Sequence, residues 1–488
     1  MLHLGVDVGT TAVKAAVFDT DGTCISVASK ETETVSPHTG WSEQDMEAVW
    51  DNVRHAVSSA ASGCAADKIV SVGVAGQGDG LWAMDASLRP ARNAILWNDQ
   101  RASSIVQHWI QSGVSSELAK ICRTVIWPGA SAPLYAWLKR HEPDTVENIA
   151  HICNAKDWIG FRLTGKLKTD FTDGSIPFLD LNKRQYSEEA FALCGVKDLS
   201  GKVLPPRLSS ELLGVLTSQA AEDLGLKQGL PVAVGALDVA AMHIGAGLNT
   251  VGESLLILGT TAVVSSVLEP SSQPEHPIGA TVIHPYGDRW LYVQGPQSGA
   301  SAVDWLANLH PEIWPGGAQD VVKSAEKSPL NSNGIIFLPY LTGERAPFVA
   351  PDASGVFIGL RPETSKSDLA RAVLEGVAFS LRHCVDEAAT VSRKGFVVAG
   401  GGARSELWRQ ILAEVLGSPV RLAADDIGIR GAALLGGAAL GAGEPPAAQA
   451  SDDPQPPCLP DADNTKTYDA GYKRFREYVD ALMPIWTS

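Results

Sequence analysis

The chain has 488 residues, 45% of them hydrophobic and 19% charged, which predicts a globular protein of two or more domains and excludes disorder. Its 39 Lys plus Arg stand against 55 Asp plus Glu, a net charge of −16. That balance argues against nucleic acid, which needs a basic face, and against an anionic membrane surface.

In chain order, residues 2–8 and 12–18 read as strands joined by Gly9-Thr10-Thr11, and residues 19–22 as a turn into a strand at 25–29. Ser42 with Asp45 has the form of a capping box, and Met46, Val49, Trp50, Val53 and Val57 repeat behind it at helical spacing. A strand at 68–74 ends in Gly76-Gln77-Gly78-Asp79-Gly80, and residues 102–200 are more helical and richer in Trp and Tyr. Strands follow at 231–234, 254–258, 262–268 and 334–339, then a long helix striped by Leu369, Val373 and Val377. A strand at 396–399 runs into Gly400-Gly401-Gly402-Ala403 and a helix with Leu407, Ile411 and Val415. Residues 442–465 read as a surface loop and 468–483 as an amphipathic closing helix.

The seven cysteines are scattered, with no CxxC pair and no zinc-finger spacing, so a reducing, cytoplasmic setting is expected. The N-terminus meets Asp7 without a basic segment before it, so no secretory leader is expected. The most apolar stretches, 231–248 and 431–443, are rich in Gly and Ala, and neither offers the about 20 lipophilic residues of a membrane span.

One repeat stands above this background. Gly-Thr-Thr-Ala-Val occurs at 9–13 and again at 259–263, each copy after one apolar strand and before another. The offset (259 − 9 = 250 residues) is close to half the chain and predicts a duplicated two-lobe protein. A Gly-Thr-Thr turn presents consecutive backbone N–H groups and two hydroxyls, donors suited to phosphate oxygens. Two such tips, with Asp7 placed to hold Mg²⁺ directly or through water, point to a bound nucleoside triphosphate. A near P-loop at 160–167 has Leu167 where Ser or Thr is required and reads as a helix end followed by a turn.

These residues resemble the FGGY carbohydrate kinases of the sugar kinase/actin/Hsp70 superfamily, over nearly the whole chain. Asp7 to Thr11 with Lys14 is similar to the first phosphate motif, and Gly259-Thr260-Thr261 to the second. Gly76-Gln77 and Ile95 to Arg101 resemble sugar-binding segments, and Gly235 to Asp238 the catalytic-aspartate motif. Phe337 to Pro347 is a further family block, and Gly400 to Ala403 resembles the adenosine loop. Gly355 to Leu360 followed by Asp368 to Glu375 fits the second family signature, whereas the first departs at Leu134, where Lys is usual.

The resemblance implies an α/β, two-lobed actin-like ATPase fold, a duplicated ribonuclease H-like unit with the active site in the interlobe cleft. Residues 1–244 would bind sugar and carry the first phosphate motif, and 245–488 would bind ATP. Asp238 is then the general base, because a sugar hydroxyl must lose its proton as it attacks phosphorus; the plainer alternative is a helix cap. The sugar-site candidates are Gln77, Asp79, Trp97, Asp99 and Arg101 beside Asp238. Trp97 could equally be core, and Asp99 with Arg101 a structural ion pair. Thr10, Thr11, Gly259, Thr260 and Thr261 are expected to hold phosphates, with Lys14 nearby, and Gly401, Gly402 and Ala403 to meet adenosine.

The implied reaction is transfer of the γ-phosphoryl group of MgATP to the primary hydroxyl of a xylulose-type pentulose. Gly78-Asp79 stands where D-xylulose kinases commonly have Met-His, and Gln77 to Gly80 with Trp82 is nearer the L-xylulose and erythritol kinases. A polyol kinase is therefore the alternative acceptor class, and a non-catalytic actin/Hsp70-like nucleotide switch the alternative from another class. Gln77, Asp79 and Arg101 alongside Asp238 favour the enzyme. Family members are often homodimers, and the sequence carries no interface signal.

Overall fold

Leu4, Val6 and Val8 are fully buried along strand Leu2–Val8, as a period of two requires when one face meets a core. The computed structural model, which describes residues 1–270, 277–388, 394–442 and 455–487, builds a sheet around this strand. Its order is Leu212–Val215, Pro231–Ala233, Ile69–Gly76, Leu2–Val8, Ala12–Asp19, Cys24–Glu31. Leu2–Val8 is antiparallel to Ala12–Asp19 and parallel to Ile69–Gly76, which is in turn parallel to Pro231–Ala233. The short strand Ala236–Leu237 extends the pairing, with Leu237 opposite Gly76.

Within a second, six-stranded sheet four neighbouring strands run Ala262–Leu268, Glu253–Leu258, Gly395–Ala399, Val420–Leu422. It repeats the same plan of an antiparallel hairpin followed by two parallel neighbours. Each Gly-Thr-Thr copy joins the two strands of its hairpin, so the repeat in the sequence is a repeat in topology. The two turns close differently: Val8 pairs with Val13 in the first, whereas Leu258 pairs with Ala262 in the second, a register difference of one residue.

The chain forms two compact units. The first contains Met1–Asn249 together with 280–291 and 425–442, and the second contains the other described residues. The stretch 425–442 packs with the first unit although it lies far along the chain. The reason is the helix Ile427–Gly437, whose small residues bring its backbone onto the first sheet. A Cβ on Gly5 or Gly73 would lie 2.1 Å from Ile429 O or 1.8 Å from Ala432 O. Gly245 and Gly431 allow the same approach to helix Asp238–Gly245, where a Cβ on Gly431 would lie 1.8 Å from Ala241 O.

Most expected elements form close to their predicted bounds. The 160–167 segment is the end of helix Ala155–Thr164, closed by Gly165 in the left-handed conformation (φ 70°), as expected of a helix end. The capping box is a correction. Helix Met46–Ser62 is capped by Asp45 itself, whose side chain accepts from Glu47 N (2.8 Å) and Ala48 N (3.3 Å). Glu43–Gln44 pairs instead with Ala94–Ile95, which holds Ser42 out of the helix. The closing helix is longer than expected, Ala462–Trp486, so the loop ends before it; residues 443–454 of that loop lie outside the described residues.

In the second unit the long helix Lys366–Glu387 carries a capping box of Ser365 and Asp368 and packs Val373, Val377 and Leu381 into a core shared with Glu406–Leu416 and Ala462–Trp486. The close helix contact in the first unit makes a sharp prediction. Gly431→Ala places a methyl against backbone that has nowhere to move and should destabilise that unit by about 1–3 kcal/mol or more, read from denaturant unfolding.

Candidate active site

Three carboxylates of the first unit influence one another. Asp7 lies near the end of strand Leu2–Val8, Asp79 in the loop after Ile69–Gly76, and Asp238 in the first turn of helix Asp238–Gly245. All three are half-buried. Burial pushes Asp238 up to about 6, against the Val239 N–H, which donates to its Oδ1 at 2.6 Å. Burial and the charge of Asp238 push Asp7 up to about 7 and Asp79 up to about 8. Such stacking of costs is typical of functional sites. Asp79 also has φ 58°, between Gly78 and Gly80 at φ 73°, a conformation an aspartate adopts only at a cost.

Asp7 fits a single carboxylate ligand for a cation. Its Oδ1 is buried without a hydrogen-bond partner, and a Cβ on Gly428 would lie 3.4 Å from its Oδ2, so that glycine leaves the carboxylate room. Among the described residues no three His, Cys, Asp or Glu side chains group to hold a metal. A cation there would take its other ligands from water and phosphate, as Mg²⁺ commonly does. Lys14, opposite Asp7 in the hairpin, is exposed and pairs with Asp426 at 2.9 Å.

The first Gly-Thr-Thr turn is less free than its sequence suggests. Thr10 Oγ1 donates to Gln77 Oε1 (2.8 Å) and accepts from Trp97 Nε1 (3.0 Å). Its single hydroxyl hydrogen is therefore committed, and Thr11 is the exposed hydroxyl. Gln77 is buried, and its Nε2 donates to Gln44 Oε1 (2.9 Å), while Gln44 Nε2 donates to Thr10 O (2.7 Å). Sequence reasoning passes over Gln44, because nothing local marks a glutamine before a helix as the partner of a loop 33 residues away. Trp97 is 36% exposed and so is not a core residue.

Asp99 and Arg101 form the structural ion pair that was the plainer expectation. Both side chains are fully buried. Asp99 accepts from Ser42 N (2.7 Å), Arg101 N (2.8 Å) and the guanidinium (2.9 Å), and Arg101 also donates to Glu43 (2.7 Å) and lies over the Trp41 ring (3.9 Å). One guanidinium nitrogen, Arg101 Nη1, is buried without a hydrogen-bond partner.

In the second unit Gly259, Thr260 and Thr261 turn between Glu253–Leu258 and Ala262–Leu268, with both threonines exposed. Their backbone oxygens are anchored, Gly259 O by Ala300 N (2.7 Å) and Thr260 O by Gly299 N (3.2 Å), which leaves the hydroxyls outward. Gly401 is exposed with open space where a Cβ would stand, and a Cβ on Gly402 would lie 2.9 Å from Trp408. Ala403 stands in a tight turn between a strand and a helix. Its side chain is fully buried and its N–H donates to Gly400 O (3.2 Å), because the segment closes into a tight turn rather than a row of free donors.

The raised acids predict a stability cost. Folded Asp79 holds its proton up to about 8, whereas a free carboxyl releases it near 3.8, so its ionisation opposes folding and stability falls as pH rises across that interval. Asn keeps the left-handed conformation without the charge. Asp79→Asn should therefore raise Tm, and more so at pH 8 than at pH 5, in paired thermal scans.

Family models match most of the chain. The FGGY family of carbohydrate kinases, N-terminal domain, covers residues 2–245, and the C-terminal domain of the same family covers 255–440. The xylulose kinase of Escherichia coli (strain K12) is 32% identical over 99% of this chain and 100% of its own. The L-xylulose/3-keto-L-gulonate kinase of the same organism is 28% identical over 98% of this chain and 97% of its own. A solved xylulose kinase from Rhodospirillum rubrum matches with a TM-score of 0.91 and 28% identity, covering all of both chains. The two-sheet plan, the doubled hairpin and the acidic site thus belong to an actin-like ATPase fold, and the chain is a member of the FGGY family of carbohydrate kinases, a sugar kinase and hence a phosphotransferase.

Proposed function

We propose that this kinase transfers the γ-phosphoryl group of ATP to the primary hydroxyl of a xylulose-type pentulose, with Asp238 as general base. The observation that carries the reading is Asp238 itself, a half-buried carboxylate in the first turn of its helix, with its affinity for a proton raised to about 6. At neutral pH such a group is ionised yet basic enough to accept the hydroxyl proton as phosphorus is attacked.

The remaining roles follow from exposure and hydrogen bonding. Asp79 hydrogen-bonds acceptor hydroxyls, and the exposed face of Trp97 packs on the carbon skeleton. Gln77 acts through Thr10 and Gln44, and Asp99 with Arg101 keeps the wall rigid. Thr11, Thr260 and Thr261 with Gly259 donate to phosphates, and Gly401 with Gly402 leaves room for adenosine. Asp7 would hold Mg²⁺, which when bound neutralises phosphate charge.

The pentulose class is supported by the names of the relatives, a xylulose kinase and an L-xylulose/3-keto-L-gulonate kinase. The test is ADP formation with D-xylulose, L-xylulose, other pentuloses and erythritol. A xylulose isomer should stimulate most; erythritol ahead of every pentulose would replace the acceptor class, and ATP binding without stimulation would favour a nucleotide switch. Asp238→Asn should fold and bind sugar while losing about 10²–10⁴ in kcat. In the wild type kcat should rise with pH through an acid limb near 6, because the base works only when deprotonated; a profile flat across that region would remove Asp238 from the role.

A further inference from the structure

Beneath the loop that carries Asp79 lies a buried charge cluster that the roles above do not use. Lys156 is fully buried, with Nζ 2.5 Å from Asp157 Oδ1, 3.0 Å from Asp170 Oδ1 and 3.1 Å from Asp173 Oδ2. One cation among three carboxylates out of water is costly, and apolar residues of similar volume would stabilise a core better. What such a cluster supplies is a fixed arrangement of the segments that carry it.

Those segments lead to the site. Asp170 caps the short helix Phe171–Gly174, accepting from Thr172 N (3.0 Å), Asp173 N (3.3 Å) and Ser209 Oγ (2.5 Å). Thr172 Oγ1 in turn accepts from the backbone N–H of Leu237 at 2.8 Å. Leu237 is the residue before Asp238 and lies in register with Gly76, one residue before Gln77. A Cβ on Gly78 would lie 2.0 Å from Leu237 Cδ1 and 3.1 Å from Asp173 Oδ1. The backbone of Gly76 also runs along Lys156, a Cβ there being 3.1 Å from Lys156 N. The acceptor loop and the base are thus both seated on this cluster, and one side-chain hydrogen bond joins it to the peptide that sets Asp238.

We propose that Thr172, held by Asp170 and the buried Lys156, is a positioning residue that fixes the Leu237 backbone and thereby the reach of the Asp238 carboxylate toward the acceptor hydroxyl. The inference rests on Asp238 as proton acceptor. A displaced base lowers the rate of the chemical step while leaving ground-state binding intact, so the effect belongs in kcat.

The test uses the full-length kinase with its best acceptor. Thr172→Val, close to Thr in shape but lacking the oxygen, should lower kcat by about 10- to 100-fold. KM for acceptor and for ATP should change by less than about twofold. Thr172→Ser keeps the oxygen and should recover most of the turnover; a purely structural role of the hydroxyl in folding would lower the amount of active enzyme and leave kcat per active site unchanged in Thr172→Val. Wild-type kcat in Thr172→Val, or an equal loss in Thr172→Ser, overturns the proposal. Should Thr172→Val fail to fold, Ser209→Ala loosens Asp170 from outside the cluster; a lowered kcat at unchanged KM supports the proposal and an unchanged kcat overturns it. Asp238→Asn is measured in parallel. If it retains turnover, the base assignment fails; if it is inactive while Thr172→Val is unaffected, only the positioning role fails.

Discussion

Backbone laid against backbone is the constraint on which the first unit depends. Helix Ile427–Gly437 approaches the sheet and helix Asp238–Gly245 so closely that Gly5, Gly73, Gly245 and Gly431 have no space for a methyl group. Dense packing of this kind deforms little, because any relative shift opens voids or creates overlap. Gly428, in the first turn of the same helix, stands beside Asp7, and Gly245 closes the helix that Asp238 opens. Asp7 and Asp238 are therefore held on elements that cannot slide past one another.

The electrostatics run against stability. Asp7, Asp79 and Asp238 are each held where ionisation is disfavoured, and the charge of Asp238 adds to the burial of the other two. Elsewhere in the unit buried charges have partners, yet burial also pushes up Asp157 and Asp173 beside Lys156. Asp99 and Arg101 satisfy each other and Glu43, and Lys156 answers three aspartates. Lys156 and Arg101 are sealed from solvent with their carboxylates, whereas Asp7, Asp79 and Asp238 are half-buried.

The net charge of −16 sharpens this picture. The overall field does not attract a nucleoside triphosphate, so attraction must be local, from backbone N–H groups, hydroxyls and a cation. The two Gly-Thr-Thr turns differ in what they leave free. The second leaves Thr260 and Thr261 exposed, whereas the first has already spent the Thr10 hydroxyl on Gln77, the register of its hairpin being shifted by one residue. Identical pentapeptides have thus acquired different surroundings and different chemistry.

What depends on near neighbours was legible in the amino-acid sequence: the strand Ala262–Leu268, the stripe on Lys366–Glu387, the turn at Gly165 and the doubled hairpin. Periodicity, turn residues and a repeated motif are local signals, and they carried the two-lobe organisation, whereas the actin-like fold and the choice of Asp238 came from the family resemblance. The cap of Met46–Ser62 shows the limit, because Ser42 was drawn away by pairing of Glu43–Gln44 with a strand about fifty residues on. Gln44, Lys156 and Thr172 had no local mark at all. Their roles come from contacts at separations of 33 and 65 residues, or from the convergence of three aspartates on one amine. The sequence by itself determined which residue types were at hand and which local elements they form. Only the tertiary structure decided which of them face outward as chemistry and which are sealed as support, because burial and long-range hydrogen bonding exist only once the chain has closed on itself.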